Sequence, residues 1–560
     1  MLYRVVAQGP ANQAQVRTGI QLALLASTVL FLVVFLDNRY RVLPTAIHNH
    51  LPAHHPGFVV TDVRILQCSS LNPFSKCAIN EDNWHRLDKD LYLSRGFPSK
   101  AYLHVRRKRE EELLSNDELV LDVHVGATSP DDGKLSKYEK WESRSMGIWI
   151  KRSHKRQLSD SSKAVTGLDV LFGPDAADPR SNWVMSKTPL PLKATRGDPP
   201  EPRLTVRNGP AMKVDPPVPR IRKDGKFKIL QASDLHLATG YGHCRDAVPD
   251  SYNGGPCLAD PRTLDFVERI LLDEKPDLII LSGDQVNGDT SPDAQSAIYK
   301  YSALFAKHQI PYAGIFGNHD DESNLNRAQS MSIMDGLPYS LSTAGPSDIE
   351  GVGNYYIEIL SRGSGHTSAL TIYMLDTHSY SPEEKKYHGY DWLKTGQIDW
   401  FKSTSQGLKN KHKGYSHIHM DVAFIHIPLP EYRNPDRNQF VGNWTEAPTA
   451  PGYNSNFKDA LVEEGVVMVS CGHDHVNDYC LPANNKNHEP ALWMCYGGGA
   501  GFGGYGGYGG YIRRMRLFEF DMNEARIRTW KRLEWGSQQD LEKRWDEQII
   551  VDAGKVVTGM

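Results

Sequence analysis

Apolar residues in this chain follow three patterns. The first is an unbroken run at 19–36, GIQLALLASTVLFLVVFL, with Gln21 its one strongly polar residue and no charge. At ~1.5 Å per residue such a helix reaches about 27 Å, close to the ~30 Å apolar layer of a bilayer. The run is long and no A-x-A cleavage site follows it, so it predicts an uncleaved N-terminal transmembrane helix. The second pattern, over 58–188, is a set of short apolar runs in a polar background. Residues 119–125 alternate like a strand and 146–150 form another strand candidate, which predicts a small, mainly β accessory domain. The third begins at 226. Continuous apolar runs at 227–230, 278–281, 312–316, 422–425 and 466–469 alternate with stretches of helical spacing. Asp260-Pro261 opens one such stretch, with Leu264, Val267 and Leu271 on a face; Ser291-Pro292 opens another, with Ile298, Tyr301 and Phe305. Continuous apolar strands between amphipathic helices predict an α/β fold with buried sheets covered by helices. Residues 513–520 and 526–531 read as a closing hairpin.

These patterns divide the chain into a tail (1–18), an anchor (19–36), a stalk (37–57), an accessory domain (58–188), a linker (189–225), an α/β domain (226–535) and a C-terminal tail (536–560). The stalk carries His48, His50, His54 and His55, with no carboxylate or Cys to complete a metal site. Residues 189–220 hold nine prolines, which fix φ and donate no amide hydrogen, so this stretch is expected as an extended linker or strap.

Five short polar motifs sit at the ends of the five apolar runs. They contain Asp234 and His236, Gly283-Asp284, Gly317-Asn318-His319-Asp320, His426, and Gly472-His473-Asp474-His475. Ligands at the carboxyl ends of strands in such sheets converge on one crevice. Two Asp, one Asn and four His are enough to hold two metal ions side by side, an arrangement suited to phosphate-ester hydrolysis. Asp284, in a tight turn, is the natural bridging carboxylate. Imidazole suits Zn and Fe, whereas carboxylate and amide oxygens admit Mn or Mg. Asp376 and His378 also follow a strand and are candidates either to orient ligands or to cap a turn. His417 and His419 precede a strand and are expected to be structural.

The ordered set DxH, GD, GNHD, apolar-xxH and GHxH resembles the calcineurin-like metallophosphoesterases, and within them the purple-acid-phosphatase-like enzymes of fungi and plants. The resemblance covers roughly 226–535. It implies a β-sandwich flanked by helices, four αββα layers in all, and a metal-dependent phosphatase acting on phosphomonoesters, phosphoproteins among them. The cofactors it implies are two divalent or trivalent metal ions (Fe, Zn or Mn). Carried over by motif, one ion takes Asp234, His236, Asp284 and His475, and the other Asp284, Asn318, His426 and His473. A hydroxide bridging the ions attacks phosphorus, and His319 acts as leaving-group acid. A phosphodiesterase or nuclease using the same site, or a membrane-anchored binding protein, is the alternative. One departure from the family stands out. Asn287 occupies the place of an Asp that orients the GNH histidine, or of a Tyr that colours the ferric enzymes. Asn287 can do neither, so a colourless site is expected, with His319 either losing that support or taking it from Asp320 or Asp321.

Formal net charge is −3, which gives no global basic surplus for nucleic acid. The expected partners are a phosphorylated substrate, small molecule or phosphoprotein, and a membrane through 19–36. Among the seven cysteines, Cys68 and Cys77, Cys244 and Cys257, and Cys471 and Cys480 are local pairs, with Cys495 left over. Such pairs suit disulfides in an oxidising lumen. A type II single-pass protein with a lumenal catalytic domain in the secretory pathway is therefore expected, a cytosolic body being the alternative. Residues 497–511, GGGAGFGGYGGYGGY, read either as a flexible surface loop or as a phosphate cradle built from backbone amides.

Overall fold

The computed structural model describes residues 10–40, 57–69, 77–93, 99–114, 116–130, 137–154, 160–192, 201–212, 215–414, 418–433 and 440–558. The stalk histidines His48, His50, His54 and His55, and His417, lie outside them. The chain divides into two units: Met1–Val170, Asn182–Pro199 and Leu204–Ala211 form one, and Leu171–Ser181, Pro200–Arg203 and Met212–Met560 form the other.

In the first unit a helix, Pro10–Tyr40, covers the long apolar run. Its side chains Leu22, Leu24, Leu25, Leu30 and Phe31 are exposed. Among the described residues no helix is long and apolar enough to cross a membrane, so the anchor expected at 19–36 gains no support here. The accessory region is β, as its alternation implies. Phe58–Ser69 and Ser99–Arg109 pair antiparallel, with Trp84–Arg86 beside the latter. Leu119–Val125, Ile148–Ser153 and Glu139–Ser143 form a second antiparallel sheet. The strand expected at 146–150 starts only at Ile148, because Met146 takes a left-handed turn conformation, φ 58°. A disulfide joins Cys68 to Cys77. Part of the proline-rich stretch is not a linker: Trp183, Val184 and Met185 pair with Arg207, Val206 and Thr205. The apolar residues Leu204 and Val206 are buried there, and a strand accommodates the extended bias of the flanking prolines.

The second unit is built on two sheets. One runs, edge to edge, Tyr312–Ile315, Leu278–Ser282, Lys226–Ala232, Arg514–Asp521, Arg526–Leu533, Trp545–Asp552 and Lys555–Val556. Its first three strands are mutually parallel and the rest antiparallel. The other runs Tyr355–Leu360, Ser368–Met374, Met420–Phe424, Met468–Cys471, Pro490–Tyr496 and Cys480–Asn484, with its four inner strands parallel. The core between the sheets joins Ile229, Ile280, Phe518 and Ile550 to Ile372, Val422, Met468 and Trp493. Residues 545–556 are thus strands and not a tail, since Ile550 and Val551 are needed to extend that core.

Helices close the outer faces. Thr395–His412 and Phe457–Glu463 place Phe401, Leu408, Phe457 and Leu461 against the six-stranded sheet. On the seven-stranded sheet, Ala294–His308 packs Tyr301 and Phe305 on Tyr312. Ala259–Glu274 sends Glu274 to Lys228 at 3.0 Å. Both helix starts differ from expectation. Leu258 is the N-cap of Ala259–Glu274, and the Asp260 carboxylate is instead buried against Lys300 at 2.7 Å. Asp293, not Ser291, caps the next helix by accepting from the Ser296 amide. Disulfides join Cys244 to Cys257 and Cys480 to Cys495, and Cys471 is free and buried. The pairing expected for Cys471 and Cys480 fails because Cys480 lies directly opposite Cys495 on adjacent antiparallel strands.

Candidate metal centre

Five strand ends deliver the motifs to one place, which follows from the parallel register of the strands that precede them. Asp234 and His236 follow Lys226–Ala232, Asp284 follows Leu278–Ser282 and Asn318 follows Tyr312–Ile315. His426 follows Met420–Phe424; His473 and His475 follow Met468–Cys471. All seven are buried. Asp234, His236 and His475 form one cluster, and Asp284, His426 and His473 another, with ligand atoms in each within 4.8 Å of one another. The two clusters abut: His236 Nε2 lies 3.7 Å from Asp284 Oδ2, which is 3.2 Å from His426 Nε2.

The backbone carries strain at these positions. Asp234, His236, Asp284 and His473 take φ of 56°, 46°, 54° and 80°. Left-handed conformations in non-glycine residues cost on the order of 1–3 kcal/mol each and collect at functional sites. Gly317 makes room for a ligand: a Cβ there would stand 2.1 Å from Asp284 Oδ1.

The side-chain atoms fit metal ions. His236 Nδ1, Asn318 Oδ1, His426 Nε2 and His473 Nε2 are buried with no hydrogen-bond partner. Orphaned groups of this kind cost about 1–3 kcal/mol each, so four in one cavity require an explanation. His236 Nε2 and His475 Nε2 face each other at 3.0 Å, an approach that a shared ligand atom would satisfy. His426 Nδ1 donates to the Ser282 carbonyl at 2.9 Å and His475 Nδ1 to that of Tyr505 at 2.8 Å. Each bond leaves the Nε2 lone pair free for coordination. Burial, together with His475, holds His236 down at about 3, a neutral imidazole. Burial and His426 likewise hold His473 down at about 3. Burial would lift the Asp284 carboxyl, but His426, His236 and His319 outweigh it and keep it well below the usual range.

His319 stands at the mouth. Its side chain is a third exposed, and its ring lies 5.3 Å from that of His236. Its amide donates to Asp284 Oδ1 at 2.8 Å. Of the two alternatives, support of its ring by Asp320 or Asp321 is not the one realised. Both Asp320 oxygens are spent on the amides of Asp284, Val286 and Gly317 at 2.7–2.9 Å, so it shapes the two ligand turns. Asp321 pairs with Arg327. Asn287 is turned away, donating to the Gly503 carbonyl at 3.4 Å. Asp376 and His378 touch no ligand. Asp376 binds Arg327, which donates to the Gly317 carbonyl at 2.7 Å, and His378 bonds Gln397 at 2.8 Å. His419 bonds Ser368 and Asp421 and is structural.

The glycine-rich loop is neither a flexible surface loop nor a phosphate cradle. The amides of Gly499, Ala500, Gly501 and Gly506 donate to His475, Ser233, Asp234 and Asp246. The loop is therefore packed onto two ligand motifs. A Cβ on Gly504 would meet His475 Cε1 at 2.4 Å and His236 Cδ2 at 2.6 Å. The segment closed by Cys244–Cys257 holds the loop in place, with the Arg245 amide on the Phe502 carbonyl at 2.8 Å. Reading the sequence missed Glu322, Tyr380, Glu446 and Tyr505 at this site, because nothing in their local spacing marks them.

Residues 227–477 match the family described as calcineurin-like phosphoesterase. With the strong relatives given next, this places the chain in that family, as a phosphoric ester hydrolase. The chain is 39% identical over 411 residues to Phosphatase DCR2 of Saccharomyces cerevisiae, covering 71% of this chain and 68% of that one. It is 32% identical over 500 residues to an uncharacterized protein of Schizosaccharomyces pombe, covering 88% and 90%. An Arabidopsis thaliana protein named probable inactive purple acid phosphatase 14 is 37% identical over 341 residues, covering 56% and 82%.

Proposed function

We propose that the chain hydrolyses phosphate monoesters, small molecules or phosphoproteins, at a two-metal centre formed by Asp234, His236, Asp284, Asn318, His426, His473 and His475. The observation that carries this reading is the pair of abutting His/Asp clusters with unpartnered buried nitrogens, opening beside a histidine that is a third exposed. Asp284, within reach of both clusters, would be the carboxylate the two ions share. The bound ions would supply positive charge to the phosphoryl oxygens and lower the pKa of water. The protein's own part is to fix the ligands through Asp320, Ser282 and Tyr505, and to present His319. Burial lowers the affinity of His319 for a proton, but the carboxylates of Asp284 and Glu322 outweigh it and raise its pKa above the ordinary value. In its protonated form His319 would give its proton to the leaving oxygen.

Fe, Zn or Mn fit the ligand set, and with Asn287 in place of tyrosine the protein should show no visible charge-transfer band. The relative named as inactive makes the decisive test turnover itself. Purified protein loaded with Mn or Zn should hydrolyse p-nitrophenyl phosphate and leave bis-p-nitrophenyl phosphate largely intact. Two bound metals with turnover of neither ester would sink the reading, and preference for the diester would replace it with a phosphodiesterase.

We also propose that 19–36 anchors the chain, with the catalytic unit in an oxidising lumen. The length of the uncharged apolar run in the sequence and the three disulfides support this. In sequence the apolar run continues to Leu36, past the last residue of the helix Pro10–Tyr40 whose side chain is described. Extraction of the protein from membranes by alkaline carbonate, without detergent, would refute the anchor.

A further inference from the structure

Glu322 lies three residues beyond His319, and its carboxylate oxygen Oε2 is 2.6 Å from His319 Nδ1. Its other oxygen accepts from the Tyr380 hydroxyl at 2.9 Å. Tyr380 is in turn held by stacking on Tyr390 at 5.6 Å, and Tyr390 stands edge-on to His473 at 4.3 Å. The other candidates are committed elsewhere: Asp320 to three amides, Asp321 to Arg327, and Asn287 to the Gly503 carbonyl. Space for Glu322 comes from the residue after Asn287. A Cβ on Gly288 would stand 2.5 Å from Glu322 Cβ and 2.6 Å from the His319 carbonyl oxygen. Any side chain at 288 would push this turn away.

We propose that Glu322 is the positioning residue of His319, fixing its ring orientation and tautomer in place of an acid at 287, with Tyr380 fixing Glu322. The proposal rests on the reading of His319 as leaving-group acid. Nδ1–H donates to Glu322 throughout, which leaves Nε2 to carry the proton that is transferred. The Nε2 proton passes to the leaving oxygen as the P–O bond breaks, and the ring is left neutral with its Nδ1 proton in place. A carboxylate on Nδ1 enforces that tautomer, as neutral Asn287 could not.

The test compares the metal-loaded wild type with Glu322→Ala and Glu322→Gln on two monoesters. One is p-nitrophenyl phosphate, whose leaving group needs little protonation, and the other is glycerol 2-phosphate, whose alkoxide needs a proton. The variants should keep their metal content and lose about 10-fold or more in kcat on the alkyl ester, but less than about 3-fold on the aryl ester. Equal losses on both esters, or no loss on the alkyl ester, would overturn the proposal. An independent readout separates this from failure of the phosphatase reading. The wild type should show a downfield imidazole N–H proton resonance that disappears in His319→Ala. Its loss in Glu322→Ala upholds the positioning role even if neither ester is turned over, and its persistence there overturns it.

Discussion

The ring of Tyr505 stacks on that of His475 at 4.1 Å, 20° from parallel. The same residue also meets His475 through its carbonyl, at 2.8 Å from Nδ1, and through its phenol oxygen, at 3.1 Å from the His475 amide. The Tyr505 and Tyr508 hydroxyls both donate to Glu446, at 2.6 Å and 3.0 Å. One proposed ligand is thus clasped by a loop whose composition alone suggested slack. Tyr505→Ala removes the stack and the phenol but keeps the carbonyl. It should weaken metal retention about 10-fold, at the mild end for groups that support a ligand, as read by competition with a chelator. Tyr505→Phe should lose less.

Gly504→Ala is expected to be harsher. Its Cβ would enter the space of both His236 and His475, which belong to one cluster. Metal affinity should fall by about 100-fold while secondary structure is unchanged by circular dichroism. Full metal content in this variant would mean that the loop yields more easily than its packing implies.

Asp284→Asn keeps shape and removes charge. Because Asp284 lies within reach of both clusters, elemental analysis should find both ions depleted and turnover reduced by more than about 100-fold. Loss of one ion only would move Asp284 out of the bridging place.

Asp478 supports stability away from the centre. It is fully buried, 2.7 Å from Lys531 Nζ, and is also paired with Arg514. Burial alone would raise its pKa, but Arg514 and Lys531 outweigh it and hold the carboxyl far below its ordinary value. A folded-state pKa below the unfolded one gives stability that is present above about pH 4 and lost as pH falls. Asp478→Asn takes the carboxylate away from Arg514 and Lys531, of which Lys531 keeps Asp546 as a partner, and should cost about 3 kcal/mol in denaturant unfolding at pH 7. Its stability should also vary less between about pH 5 and 3 than that of the wild type.

The motif residues were legible because chemistry and periodicity coincide: each polar cluster ends an apolar strand, and both signals are local. The supporting residues were not. Glu322 looks like one more acid in a polar turn, and only the folded turn sets it against His319. Cys480 and Cys495 pair because their strands are neighbours, whereas sequence proximity favoured Cys471. The strand Trp545–Asp552 alternates too weakly to announce itself, and its place depends on an edge left open by Arg526–Leu533. The starts of the two helices turned on which carboxylate was needed elsewhere, as Asp260 is by Lys300.

Each His/Asp cluster draws on both sheets. Asp234 and His236 extend from the seven-stranded sheet and meet His475 from the six-stranded one; Asp284 extends from the former and meets His426 and His473 from the latter. An ion bound in either cluster is therefore a rivet through the sandwich, and catalytic loading and mechanical cohesion become a single quantity. Chelation should not merely silence such a protein. It should lower its melting temperature, and the two sheets should part more readily at the end where the rivets were.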